Sequence, residues 1–130
     1  EEYRPAPYTK EFVESTLKRL SELGPTKVVL TGVAFDKKQV GSATYDRLTD
    51  KISYALSDTV DGYFHGTGDV FASALLGAYL NGLTLAESAR IAVDYTHGCI
   101  ERTKEAGTDL RYGVDFEHGI PDLLRQTGII

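Results

Sequence analysis

The chain has 130 residues, a formal net charge of −5 and one cysteine. With 42% apolar and 25% charged residues, it has the composition of a soluble globular protein of about one domain. The acidic balance without a basic cluster argues against a nucleic-acid surface, and no run approaches the roughly 18 uncharged apolar residues of a membrane helix.

A lone thiol, Cys99, rules out an intramolecular disulfide and fits a reducing, cytoplasmic compartment. No signal-peptide pattern is visible. The sequence begins Glu-Glu-Tyr and contains no methionine, so the expectation is a processed chain or a piece of a longer one.

The opening "EEYRPAPYT" carries two prolines and reads as an extended lead-in. "TKEFVESTLKRLSELG" then reads as a helix. Thr9 is its N-cap, Glu11 lies in the first turn, and Tyr8 and Val13 are spaced as a hydrophobic staple. Phe12, Leu17, Leu20 and Leu23 recur at helical spacing, and Gly24-Pro25 ends the element. "KVVL" follows at once and reads as a buried parallel strand. In "KISYALS" the residues Ile52, Tyr54 and Leu56 alternate with Ser53, Ala55 and Ser57, as in a strand with one buried face. "VGSATYD" reads as its hairpin partner, with a turn near residues 48–51.

Residues 70–80 contain almost no polar side chain, which predicts a helix buried on most sides. A further helix is predicted over residues 85–105. Thr84 and Glu87 form its capping box and Gly107 its stop; its inner face carries Leu85, Ala89, Ala92, Val93, Thr96 and Ile100. The tail "VDFEHGIPDLLRQTG" reads as a short helix broken near Pro121. There is no internal repeat and no linker. The order helix, strand, hairpin, helix, helix suits an α/β layer structure, with residues 1–130 forming one domain or subdomain.

The chemistry concentrates in "GTGD", residues 66–69, at the mouth of the apolar helix. Asp69 reads as the N-cap of that helix. The two glycines let a ligand approach the backbone closely, and amides turned toward it at a helix N-terminus make an anion site. An anion cradle beside a carboxylate is what phosphoryl transfer to an alcohol needs: one neutralises the moving group, the other takes the hydroxyl proton. There is no G-x-x-x-x-G-K-[ST], which excludes a P-loop NTPase. Gly62, Gly66 and Gly68 match a short-chain dehydrogenase spacing, but no tyrosine is followed four residues later by lysine. His65, His97 and Cys99 read as packed or solvated groups rather than ligands. Lys37 and Lys38 read as a solvated loop, and Asp46, Arg47 and Asp58 as turn and surface charges.

"GTGDVFASALLGAYLNG", with "VVLTG" upstream and "TLAESARIAVDYTHGCIERT" downstream, resembles the C-terminal signature of the ribokinase-like superfamily, most closely the pyridoxal kinases. The resemblance covers nearly the whole chain. It implies the C-terminal part of a three-layer α/β/α sandwich, nucleotide-binding and catalytic, from an enzyme that phosphorylates the hydroxymethyl group of pyridoxal, pyridoxine or pyridoxamine. ATP and Mg2+ are then the implied cofactors, a monovalent-ion requirement stays open, and a homodimer is the implied assembly. Asp69 is the implied catalytic base, and the amides of Gly66, Thr67 and Gly68 the implied anion hole. Thr31 and Gly32 are placed beside the nucleotide phosphates, and Val60, Thr96 and Ile100 at the adenine slot, where core packing is the competing reading. Kinases of this family are about twice as long. The Asn-x-x-Glu segment and the vitamin pocket of their N-terminal half are absent here, so the chain alone is expected to be inactive. A hydroxymethylpyrimidine (phosphate) kinase and a non-catalytic nucleotide-binding or dimerisation module are the alternatives.

Overall fold

The computed structural model describes residues 5–130; the first four residues of the lead-in lie outside them. The chain divides into two compact units, Glu1–Thr59 and Val60–Ile130.

The first unit is one helix on a three-stranded sheet. Helix α1 spans Lys10–Glu22, and Thr9 caps it by accepting the Phe12 amide at 3.1 Å. Strands β1 (Lys27–Val33), β2 (Gln39–Asp46) and β3 (Lys51–Asp58) lie in the order β1-β2-β3. Every pairing is antiparallel. The predicted parallel strand at residues 27–30 is therefore corrected: β1 runs antiparallel to β2, its only partner among the described residues. An apolar β-branched run records that a strand is buried, and says nothing about the direction of its neighbour.

Val13 and Leu17 of α1 are fully buried against Val28, Val33, Ala43 and Tyr45. Each such side chain contributes roughly 1.5–3 kcal/mol by leaving water. Ile52 and Tyr54 of β3 join the margin of this core half-buried, but the predicted single buried face is corrected: the buried residue of β3 is Ala55, on the opposite face, because the sheet is covered on both sides there. Tyr8, predicted to staple onto Val13, stacks on Phe12 with ring centroids 5.4 Å apart. Leu23, counted on the apolar face, is the C-cap residue and is exposed. The turn at residues 47–50 closes the hairpin. Gly41 is required by close approach, because a β-carbon there would run into the Ala55 carbonyl across the ladder.

The second unit is helical: α2 (Thr67–Leu80), α3 (Leu85–Ala106) and α4 (Ile120–Gln126), with short 3-10 turns at Leu110–Tyr112 and Glu117–Gly119. Helix α2 packs on α3, and α4 and the second 3-10 turn also lie against α3. The capping box of α3 forms as predicted: the Glu87 amide donates to Thr84 Oγ1 at 3.1 Å, and the Thr84 amide donates to Glu87 Oε2 at 2.9 Å. Gly107 closes the helix in the left-handed region. Pro121 opens α4 instead of breaking it, since a first-turn position needs no amide donor.

The predicted all-round burial of α2 is also corrected. Phe71, Ala74 and Ala78 are buried, while Leu76 is 55% and Leu80 74% exposed. Apolar content around the whole helix reports what the side chains prefer, not which neighbours are present to cover them.

Candidate active site

Helix α2 begins three residues earlier than an Asp69 cap would allow. Gly66 is the cap, at φ 84° and ψ 2°, a left-handed conformation that glycine adopts without the β-carbon penalty. No side chain caps the helix, in contrast to α1 and α3, whose threonine hydroxyls each take a first-turn amide. The leading amides of α2 therefore spend no hydrogen bond on a side chain, and they lie at the positive end of the helix dipole.

Asp69 falls inside the first turn. Its carboxylate is exposed and has no hydrogen-bond or ion-pair partner among the described residues. A negative charge there is favourable to the helix. A β-carbon at Gly68 would meet nothing within 4 Å, so packing does not dictate glycine at that position. What the small residue does provide is unobstructed backbone.

Asp69 also borders an open groove of about 490 Å³ within the second unit, lined by apolar side chains of α2 and α4 together with Tyr95 and Phe116. The segment leading into the cradle is tied to α3, where Lys104 Nζ donates to the Asp61 carbonyl at 3.2 Å. The rings of Tyr63 and His65 meet edge to face at 5.0 Å.

The structure gathers Gly66, Thr67, Gly68 and Asp69 into one helical turn. Thr96 and Ile100 lie one turn apart on α3, both half-buried, and Thr96 Oγ1 donates to the Ala92 carbonyl at 2.7 Å. Val60, half-buried, begins the second unit. Thr31 and Gly32 belong to the first unit, exposed near the end of β1. Gly32 sits at φ 68° in the irregularity that shifts the β1–β2 register between Thr31 and Val33.

His97 pairs with Glu101 at 3.0 Å. Cys99 is a buried free thiol whose pKa burial pushes up, which keeps it protonated and unreactive. Among the described residues, no three His, Cys, Asp or Glu side chains stand together as a metal site, and no helix is long and apolar enough to cross a membrane.

Two polar devices escaped the sequence reading. Arg47, read as a surface charge, donates to the Ser21 carbonyl at 2.9 Å and ties the hairpin turn to the end of α1. Arg102 and Thr103 hold the backbone of Asp115. Both link residues far apart in sequence, and neither has a local signature.

The fold is that of the ribokinase-like kinases. A candidate phosphomethylpyrimidine kinase from Bacteroides thetaiotaomicron superposes with a TM-score of 0.84 at 25% identity, over 90% of this chain and 40% of that one. The same protein in an orthorhombic form with pyridoxal gives 0.83 at 26% identity, over 92% and 42%. Pyridoxal kinase from Lactobacillus plantarum gives 0.80 at 25% identity, over 95% and 43%. The family model for phosphomethylpyrimidine kinase matches residues 4–113, and the chain belongs to that family. No curated protein matches it. The chain spans about two fifths of the length of the solved structures it resembles.

Proposed function

We propose that residues 66–69 are the anion-binding and proton-accepting part of an ATP-dependent kinase, whose acceptor is the hydroxymethyl group of a vitamin B6 compound. The observation that carries this reading is the start of α2, where a glycine cap leaves the first amides without a side-chain acceptor and a carboxylate stands in the same turn. The amides of Gly66, Thr67 and Gly68 hold the transferring phosphoryl group and the charge that develops on it. Asp69 accepts the proton of the acceptor hydroxyl as its oxygen bonds to the terminal phosphorus of ATP, and ADP leaves with the electrons of the broken P–O bond.

Open amides suit a phosphate. Magnesium is proposed to arrive on the nucleotide, as the family resemblance implies. Thr31 and Gly32, with Val60, Thr96 and Ile100, are proposed nucleotide contacts on the strength of the family resemblance. So is a homodimeric assembly.

A second reading, with a hydroxymethylpyrimidine as acceptor, is favoured by the family match. The test is to incubate the full natural gene product with labelled ATP and either pyridoxal or hydroxymethylpyrimidine, and to follow transfer of label. Labelled pyridoxal phosphate supports the first acceptor, and labelled hydroxymethylpyrimidine phosphate the second. Transfer to neither, by a protein that binds MgATP, would sink the kinase reading.

A further inference from the structure

Residues 61–65, which lead into the cradle, are tied at their start to the last turns of α3 and flanked at their end by the chain that follows it. At the near end, Lys104 Nζ donates to the Asp61 carbonyl at 3.2 Å. At the far end the connection runs through the chain that follows α3. Thr103 is 1% exposed. Its hydroxyl donates to the Cys99 carbonyl at 2.7 Å and accepts the Asp115 amide at 2.7 Å. One proton and one lone pair are both committed, which fixes the direction of the hydroxyl. Arg102 donates to the Asp115 carbonyl at 3.0 Å. Both backbone polar groups of Asp115 are thus fixed by adjacent side chains of one helix. Two residues earlier, Gly113 sits at φ 80°, so close to His65 that a β-carbon would lie 3.6 Å from the His65 carbonyl oxygen. His65 is the residue before Gly66.

We propose that Thr103 and Lys104 are positioning residues for the cradle, setting where the residue 66–68 amides point without touching the anion; this rests on the anion-site reading above. Lys104 fixes the start of the leading segment. Thr103 fixes Asp115, and two residues before it lies Gly113, whose backbone passes near the His65 carbonyl. Buried and hydrogen-bonded in both senses, Thr103 makes the stiffer of the two attachments, and Lys104, at the surface, the softer.

The experiment uses the 15N-labelled chain and inorganic phosphate. Thr103→Val keeps the side-chain shape and removes the acceptor, Thr103→Ser keeps the hydroxyl, and Lys104→Met removes the surface tie. Expected are moved amide resonances for Gly66, Thr67 and Gly68 in the free Thr103→Val and Lys104→Met chains, and near-native ones in Thr103→Ser. Phosphate should bind about five- to tenfold more weakly to the first two, since small misplacements of a binding group carry large penalties. Thr127→Val removes another buried hydroxyl, one that donates to the Leu123 carbonyl at the end of α4, and should leave both readouts native. If Thr103→Val does not fold, Lys104→Met decides. Native resonances at residues 66–68 in the folded variants, with native phosphate affinity, would overturn the positioning role while leaving the anion site standing. Phosphate that fails to move those amides in the unaltered chain would overturn the anion site, and this proposal with it.

Discussion

The Gly66 carbonyl accepts the Val70 amide at 3.0 Å, so α2 is already wound when the chain reaches Asp69. A carboxylate at the cap position would have taken up the amides two or three residues on. One turn inside the helix, it takes up none as a cap. The corrected position separates two duties that the sequence had assigned to one residue: Gly66 starts the helix, and Asp69 keeps only the proposed role of base.

Asp69→Asn is therefore a mild change to the fold and a severe one to the proposed reaction. Stability should fall by only about 0.3–1 kcal/mol, as a negative charge leaves the helix N-terminus. Phosphate should bind somewhat more tightly, because a like charge beside the cradle is gone. Turnover of the full gene product should drop by roughly two to four orders of magnitude with the base removed. Urea melts, phosphate titration and a kinase assay measure the three effects. Undiminished turnover would leave Asp69 with a structural role only.

Gly68→Val tests the cradle. A β-carbon there meets no neighbour within 4 Å, so the loss of stability should stay near or below about 1 kcal/mol, the scale of helix-propensity differences. The new side chain would stand over the amides that face the anion. Calorimetry should find phosphate and MgATP binding weakened well beyond what the stability change explains. Native affinity from the folded variant would remove the anion-hole role.

Arg47→Met addresses the first unit. The guanidinium donates to the Ser21 carbonyl at 2.9 Å, and the Arg47 amide donates to the Thr26 carbonyl at 2.8 Å. Only the side-chain bonds are lost, the one to Ser21 and a longer one to the Gly24 carbonyl at 3.5 Å, so a destabilisation of about 1 kcal/mol is expected in chemical denaturation. A change near zero would mean that water replaces the guanidinium at Ser21 without cost.

Tyr54 gives a pH dependence with a definite sign. Burial, together with the hydrogen bond and charge of Glu14, pushes its phenol up to about 12; the Tyr54 hydroxyl lies 3.0 Å from Glu14 Oε1. The folded pKa is raised, so the unfolded chain loses this proton first. Its contribution to stability is complete below pH ~10 and is lost as pH rises through the folded value. Tyr45 and Tyr95 are raised as well, so Tyr54→Phe should flatten the alkaline fall in stability without abolishing it. Melting temperatures from neutral pH to about 11 provide the check, and parallel curves for the two proteins would refute it.

What the sequence disclosed follows the range of the interactions. The caps at Thr9, at Thr84 with Glu87, and at Gly107 close within four residues and were legible in full. The hairpin was legible from its alternation and a short turn. The cap of α2 was misplaced because a left-handed glycine caps through its backbone and leaves no side-chain signature. The direction of β1 and the exposed face of α2 depend on what lies beside them in space, which composition does not encode. Thr103 reads as one more polar residue on α3, and its partner Asp115 lies twelve residues on. Only the folded chain connects them.

The last prediction concerns these 130 residues by themselves. They span 40–43% of the solved kinases they resemble, and they carry the proposed cradle and base. Phosphoryl transfer depends mainly on placing the acceptor oxygen and stabilising charge. Positioning alone can supply roughly 7–11 kcal/mol of barrier reduction in well-oriented cases. The acceptor's pocket is expected in the part of the solved relatives that these residues do not span, so that contribution is lost here. The expected result is no measurable ATP-dependent formation of pyridoxal phosphate, alongside weak phosphate binding at residues 66–69, since a cradle of backbone amides is local to one helix turn. Strand β1 pairs on one side only among the described residues, and an unpaired edge invites association, so light scattering should detect species larger than one chain. Robust turnover from a monomer would show that the acceptor site lies within these residues after all.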